Sequence, residues 1–547
     1  MSLHMKDVFA VPEETKRVAR AAFPKGNAYM RFRDEIGPVY ADSRYASLFA
    51  EVGRPAESPA RLALVSAMQF AEGLTDRQAA DAVRSRIDWK YMLGLELTDP
   101  GFDFTVLSDF RRRVVEGGAE AQLLDDMLAR FKAHGLIKAR GRQRTDSTHV
   151  LAATRTLNRL ECVGETLRHA LNTLAAAAPQ WLYPQIKQEW IDRYGKRLDE
   201  YRLPRGKDER RALAEVMGAD GSALLSSIYA TDAPEWLRQI PAVETLRRVW
   251  VQQFYVVDGQ LRWRESGNVP PSSLLIETPY DIEAHYSTKR ETTWVGYKVH
   301  LTETCDEDMP NLITHVETTS ATVPDTSVTD KIHADLAEKD LLPSQHLLDT
   351  GYTDADHLVN SKRKYGIDLC GPVREDASWQ SHAQEGFAAS CFKIDWAAQS
   401  ATCPAGQVSR TWKTERDRGH DVIRVGFAAE DCTPCPHRRQ CTRAKARPRI
   451  LKLWPQEQHT ALQAARERQL TDAFKETYAQ RAGAEGTVSQ GTRRSGLRRS
   501  RYIGQAKTHL QHVLTAAGIN LVRIMAWLQG VPREATRTAR FAGLAAG

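Results

Sequence analysis

The stretch between residues 293 and 373 restricts the fold more than any other part of the chain. Residues 293–302, which include Trp294, Val295, Tyr297, Val299 and Leu301, and residues 312–319 carry the β-branched and aromatic enrichment of strands. A helical pattern follows at 327–339. Next comes a short apolar run, His346-Leu347-Leu348, that stops at Asp349, Thr350 and Gly351. Residues 354–364 read as a second helix and 367–373 as a further strand. Upstream, residues 142–150 read as a strand with polar residues at intervals. With the intervening helical stretch set aside, the order is β–β–β–α–β–α–β. That order predicts an α/β fold, a mixed sheet flanked by helices.

Such a sheet uses only part of 547 residues, so further domains or insertions are expected. Residues 59–135 are helical in pattern. Leu62, Leu64, Val65, Met68 and Phe70 form an apolar segment ended by Gly73, and Thr75 or Asp76 caps the next helix. Short helices joined by tight turns fit a helix-turn-helix-like DNA-binding module and an ordinary small bundle equally well. Residues 157–253, rich in Ala, Leu, Glu and Arg, read as a long helical stretch, followed by a Pro- and Ser-containing linker at 268–280. A long helix is expected from near Pro455 through Glu485, and another over 506–528.

A hydrophobic content of 42% with 27% charged residues excludes a disordered chain, and no apolar run approaches the roughly 18–20 residues of a membrane span. The first 25 residues mix charges with short apolar pairs and lack the core of a signal peptide. A cytoplasmic, nucleoid-associated protein is expected. The net charge of +7 is mild for this length, but its distribution is uneven. Residues 438–449 carry Arg438, Arg439, Arg443, Lys445, Arg447 and Arg449 with no acid. Residues 493–507 carry Arg493, Arg494, Arg498, Arg499, Arg501 and Lys507, again with none. Beside a site for phosphodiester chemistry, such stretches point to phosphate contact.

That site is suggested by carboxylates. Hard divalent ions bound against a polyanion need two or three carboxylates, because waters and phosphate oxygens complete the shell. Two such ions about 4 Å apart can activate an attacking oxygen and stabilise a leaving one. Asp146 lies within the first strand and Asp349 ends a short buried one, the positions from which ligands converge on one end of a sheet. Tyr478, Arg481 and Glu485 fall at i, i+3 and i+7, one face of a helix that Gly483 and Gly486 weaken. A stripe of Tyr, Arg and Glu is not a core-packing pattern.

Three segments now carry a resemblance: Arg144-Thr145-Asp146-Ser147-Thr148-His149-Val150, Leu348-Asp349-Thr350-Gly351-Tyr352, and Tyr478 with Arg481 and Glu485. They closely resemble bacterial insertion-sequence transposases of the DDE class. The nearest match is the family numbered eleven eighty-two, in the group with a Tyr/Arg/Glu/Lys signature. Gly53-Arg54-Pro55, Leu74 to Ala80, Tyr286 to Arg290 and Trp294 to Lys298 extend the resemblance over nearly the whole chain.

The resemblance implies an RNase H-like mixed-sheet core in three parts, residues 136–160, 271–378 and 456–530. Around it stand an N-terminal helical DNA-binding or dimerisation domain (1–135), a helical insertion (161–270), a Cys-rich insertion (379–455) and a tail (531–547). It also implies that Asp146, Asp349 and Glu485 hold two Mg²⁺ or Mn²⁺ ions. A homodimer would bind terminal inverted repeats in double-stranded DNA, cut them and join them to target DNA. Tyr478, Arg481, Arg493, Arg494, Arg498 and Arg499 are the candidate DNA contacts. The signature Lys is replaced by Thr492, and Arg493 or Arg494 can supply the cation if Gly491 ends the helix. The rival readings are a domesticated RNase H-fold DNA-binding protein and a nuclease without strand transfer.

Of eight cysteines, Cys403, Cys432, Cys435 and Cys441 cluster. Cys432-Thr433-Pro434-Cys435 is a C-x-x-C knuckle, and the four together are candidate ligands of a structural Zn²⁺, with His437 as the substitute donor.

Overall fold

Strand pairing is organised around Arg140–Leu151 (β1) in the computed structural model, which describes residues 2–5, 10–383, 386–417 and 419–533. Four further strands follow in the chain: His285–Lys289 (β2), Thr292–Thr304 (β3), Ile313–Ser320 (β4) and Pro343–Leu347 (β5). Asp368–Cys370 (β6) completes a six-stranded mixed sheet. β3 runs antiparallel along β1, from Gln143 opposite Thr304 to Leu151 opposite Gly296. The far edge of β3 is shared by β2 and β4, both antiparallel. On the other side of β1 lie β5 and then β6, both parallel. The mixed sheet expected from the alternation of strand and helix patterns is therefore present.

β1 is central although several of its side chains are polar, because those side chains are paired. Thr145 Oγ1 lies 2.7 Å from both Thr302 Oγ1 and His346 Nε2. His346 passes the chain on to His333 at 2.9 Å. Satisfied buried polar groups of this kind avoid the cost of desolvation. The helices Thr329–Glu338 (α2) and Ala355–Tyr365 (α3) cover this face, α3 being capped by Asp354 and ended by Gly366.

The other face is closed by helices from both ends of the chain. Pro59–Glu72 (α1) is buried over almost its whole length and packs on Gln505–Leu528 (α6), itself buried on every side from Leu510 to Leu521. Ser58 caps α1 and Gly73 ends it. The next helix opens on a capping box between Thr75 and Gln78. Phe32, Trp89 and Phe131 from the N-terminal helices belong to the same hydrophobic core as Val299, Leu348 and Ile519.

Of four smaller clusters, the two largest stand apart. One lies among the helices Arg159–Ala177, Lys207–Ile228 and Pro241–Gln253, around Leu167, Leu224, Leu246 and Trp250. The stretch expected to be helical throughout breaks into several helices and runs directly into a hairpin, Phe254–Val257 with Gln260–Trp263, that turns through Asp258 and Gly259 at positive φ. The other small core, around Phe392, Val425 and Leu451, backs the three-stranded sheet of Thr411–Asp417, His420–Gly426 and Ile450–Leu453.

The single helix expected from Pro455 through Glu485 is not formed. Gln456–Arg468 ends, Asp472–Ala479 (α4) restarts on a Thr471 cap, and a 3₁₀ turn at Gln480–Ala482 precedes Gly483–Ser495 (α5). The break has a cause in β1. The Arg144 guanidinium crosses at Gly483 and donates to the carbonyl of Gln480, where any side chain on residue 483 would collide with it. α5 also continues past Gly491 and stops at Gly496, which takes the left-handed conformation. No helix among the described residues is long and apolar enough to cross a membrane. Most of the expected tail, residues 534–547, lies outside the described residues.

Candidate active site

Asp146 projects from the middle of β1, and Asp349 lies two residues beyond the end of the neighbouring parallel strand β5. Leu347 and Leu348 are fully buried and anchor that strand end. The Asp349 carboxylate then folds back on its own turn, Oδ1 accepting the Gly351 N–H at 2.8 Å. A Cβ on residue 351 would stand 2.9 Å from this oxygen, so any other residue there would push the carboxylate aside.

The two aspartates act on each other. Burial raises the Asp349 pKa, the Gly351 N–H opposes that rise, and the Asp146 charge adds to it. A buried carboxylate beside a second negative charge favours a nearby cation. The chain supplies one, since Arg481 Nη1 lies 3.0 Å from Asp146 Oδ2 in an ion pair without good hydrogen-bond alignment. Arg481 Nε donates to the Tyr478 hydroxyl at 3.1 Å, and Tyr478 stacks on Phe474. Burial alone would lower the Arg481 pKa, but Asp146 and Tyr478 outweigh it and keep the guanidinium charged.

Glu485 lies in the first turn of α5, where it is exposed and makes no hydrogen bond or ion pair among the described residues. It does not join Asp146 and Asp349 in a set whose ligand atoms all lie within 4.8 Å of one another. Tyr478, Arg481 and Glu485 are not on one continuous helical stripe, because the 3₁₀ turn separates Tyr478 from α5. α5 itself is fixed from beneath. Glu303, buried on β3, accepts Arg144 Nε at 2.7 Å, Arg523 Nη1 at 2.6 Å and the Thr487 hydroxyl at 2.6 Å.

The remaining candidate arginines divide. Arg493 is exposed, its Nε only 3.4 Å from the Ser489 carbonyl of its own helix. Arg494 donates to the Ala71 carbonyl at the end of α1, at 2.9 Å. Arg498 reaches Thr148 Oγ1 on β1 at 2.8 Å, and Arg499 bridges Leu151 through its backbone. Arg498 therefore lies along the same strand as Asp146. In the other basic stretch Arg438 points inward, donating to the carbonyls of Cys432, Ala444, Lys445 and Arg447. It holds a loop together.

A fourth carboxylate escaped the sequence reading. Asp325 precedes α2 and accepts the Ser147 hydroxyl at 3.1 Å, from the residue after Asp146. Lys298 Nζ lies 2.8 Å from Asp325 and Lys289 Nζ 3.6 Å. Burial would raise its pKa, but Lys298 and its neighbours bring it below the ordinary value. Both lysines lie in segments that carry the family resemblance, whereas Asp325 reaches the site only through tertiary folding.

Cys403, Cys432, Cys435 and Cys441 line one small pocket, together with Phe392, Phe427 and Arg449. Burial raises the Cys441 pKa, Arg449 lowers it, and the other three thiols push it further up. The Gln407 N–H donates to Cys403 Sγ at 3.3 Å. Among the described residues no three sulfurs form a set within 4.8 Å of one another, but the four-thiol donor set suits Zn²⁺.

Comparison with known families gives two matches. Residues 402–525 match the family described as Transposase DDE domain. Residues 17–113 match the one described as Transposase domain (DUF772). No curated protein and no solved structure matches.

Proposed function

We propose, on the premise that the chain is a transposase of the DDE type, that it binds the terminal inverted repeats of an insertion sequence, cuts there and transfers the freed ends to target DNA. The observation that carries this reading is that Asp146 and Asp349 come from neighbouring strands and repel each other, with the Arg481 guanidinium paired to Asp146. Arg481 comes from the segment that also holds Glu485. The affiliation with family eleven eighty-two rests on the motifs quoted above.

The sheet order supports an RNase H-like reading of the core. β4, β3 and β1 are successive antiparallel neighbours, and β5 and β6 extend the sheet in parallel. The donors at Asp146 and Asp349 are hard oxygens that suit Mg²⁺ or Mn²⁺, and Glu485, exposed in the first turn of α5, would have to close on them to serve as the third ligand. Bound there, two such ions would supply the charge that activates a water or a 3′-hydroxyl and stabilises the leaving oxygen.

The chain's own part is positioning. Asp349 is locked by its bond to Gly351, and Arg481 and Tyr478 stand beside the pair to steady phosphate oxygens. Arg498 and the exposed Arg493 extend the positive charge toward the DNA backbone, with Arg499 beside them. Arg494 anchors α5 to α1. Cys403, Cys432, Cys435 and Cys441 would hold a structural Zn²⁺, which would stiffen the insertion. Two copies on DNA hold two ends together, and a DNA substrate makes the nucleoid the working compartment.

The test is incubation with linear DNA bearing candidate ends, in Mg²⁺ or Mn²⁺ and in EDTA. Cleaved ends and joined products are expected with metal and neither in EDTA. Asp349→Asn and Glu485→Gln should abolish both while DNA binding persists. Cleavage retained by Asp349→Asn removes that residue from the site, and nicks without joined products favour a nuclease that lacks strand transfer.

A further inference from the structure

We propose that His315, Glu317 and Asp335 form a second divalent-cation site, suited to a first-row transition-metal ion such as Zn²⁺, Co²⁺ or Mn²⁺, and separate from the Asp146–Asp349 centre. His315 and Glu317 are two residues apart on β4, so their side chains share one face of the sheet. Lys331 and Asp335 are one turn apart on α2, which packs on that strand. His315 Nε2 lies 3.6 Å from Asp335 Oδ2 and 3.8 Å from Glu317 Oε2, and the three ligand atoms lie within 4.8 Å of one another. Those separations are too long for hydrogen bonds. They approach the roughly 3.4 Å expected between ligands that share a tetrahedral ion with bonds of about 2.1 Å.

Two further observations point to an ion. His315 is 3% exposed, yet neither of its ring nitrogens has a hydrogen-bond partner among the described residues. A buried imidazole with no partner is costly, and a metal bond would satisfy Nε2. Burial, assisted by nearby Lys339 and Lys331, also keeps the ring neutral, so its lone pair is available. The second observation is the Lys331 ammonium, 2.7 Å from Glu317 Oε2 and 2.8 Å from Asp335 Oδ2. It occupies the position of a cation, but it balances only one of two carboxylates. Its side chain is 54% exposed, so it can withdraw into solvent when an ion binds.

One nitrogen and two carboxylate oxygens suit these ions better than Mg²⁺ or Ca²⁺, which take all-oxygen shells. The ion would tie β4 to α2, and the turn that carries Asp325 leads directly into α2. This second site would therefore stiffen one wall of the first without entering its chemistry.

The experiment uses the full chain carrying Asp146→Asn and Asp349→Asn, which removes the proposed catalytic centre from the measurement and makes the outcome independent of transposition. Mn²⁺ binding is followed by electron paramagnetic resonance. One ion per chain is expected, with nitrogen hyperfine coupling that disappears in His315→Gln. The added pair Glu317→Gln and Asp335→Asn should abolish binding, and Lys331→Met should tighten it about tenfold by removing the competing ammonium. No bound ion, binding that survives loss of both carboxylates, or a Lys331→Met variant with unchanged affinity overturns the proposal.

Discussion

Arg481 Nη1 sits 3.0 Å from Asp146 Oδ2, with only 16% and 14% of the two side chains exposed. This guanidinium is the counter-charge of Asp146. Arg481→Ala should therefore destabilise the protein in EDTA by about 1–3 kcal/mol, because a largely buried carboxylate loses its partner. Mg²⁺ should recover much of that loss. Urea unfolding with and without Mg²⁺ measures both, and an equal loss in the two conditions would show that Arg481 and the metal do not share a place.

Gly351 offers a sharper separation of function from stability. An Ala Cβ would stand 2.9 Å from Asp349 Oδ1 and 3.4 Å from Asp325 Oδ2, so the Asp349 carboxylate must move. A displacement near 1 Å at a reacting centre can cost on the order of a hundredfold in rate. The Gly351→Ala chain should cleave about a hundredfold more slowly while its unfolding free energy stays within about 1 kcal/mol of the parent. Parent-like turnover would show that the turn does not fix the site.

The sheet was legible because its strands are β-branched and aromatic and because Asp349 follows two leucines that can only be buried. The Asp258-Gly259 turn was equally legible, and reading residues 157–253 as uniformly helical hid the hairpin that follows it. Other features were not written locally. The break before Gly483 is imposed by Arg144, far away on β1, and Asp325 meets Ser147 only after α2 docks on the sheet. Periodicity shows which faces a segment presents, but not which distant charge will cross it.

The thiol pocket predicts one Zn²⁺ per chain. Cys432→Ser should reduce the zinc content by one equivalent, and the Co²⁺-substituted parent should show thiolate charge-transfer absorption that this variant lacks. Residues 392–453 have a small core of their own, so loss of the ion should expose them to protease while the main core resists. A parent chain that retains no zinc after purification in its presence would remove the metal from this pocket.

Acid should weaken the fold through its histidines. Burial lowers His300, His333 and His509 to about 4 and His512 to about 3, against an ordinary 6.5. Between those values the unfolded chain binds more protons than the folded one. Stability is therefore fully present above about pH 6.5 and is lost progressively as pH falls toward about 4. From about pH 7.5 to about pH 5.5 each ring should withdraw on the order of 1 kcal/mol. A urea midpoint unchanged over that range would mean that these rings are not held neutral.

Glu303 connects stability to the placement of α5. Its carboxylate is 1% exposed and is shared by Arg144, Arg523 and the Thr487 hydroxyl, so it ties β1 and α6 to the helix that carries Glu485. Glu303→Gln leaves two guanidinium groups without their anion in a dry setting and should cost about 3–5 kcal/mol. Replacing all three charged residues together, Glu303→Leu with Arg144→Met and Arg523→Met, should recover much of that loss, because the desolvation cost disappears with the charges. Cleavage should not recover with it. Arg144 also holds the Gln480 carbonyl, and without that bond the turn before α5 loses its fixed angle and Glu485 its position. Hydrogen exchange at the amides of Gly483–Ser495 reads the same event directly, with faster exchange expected in the triple variant at near-parent stability. Parent-like exchange together with full cleavage would show that the Glu303 cluster supports the fold and plays no part in aiming Glu485.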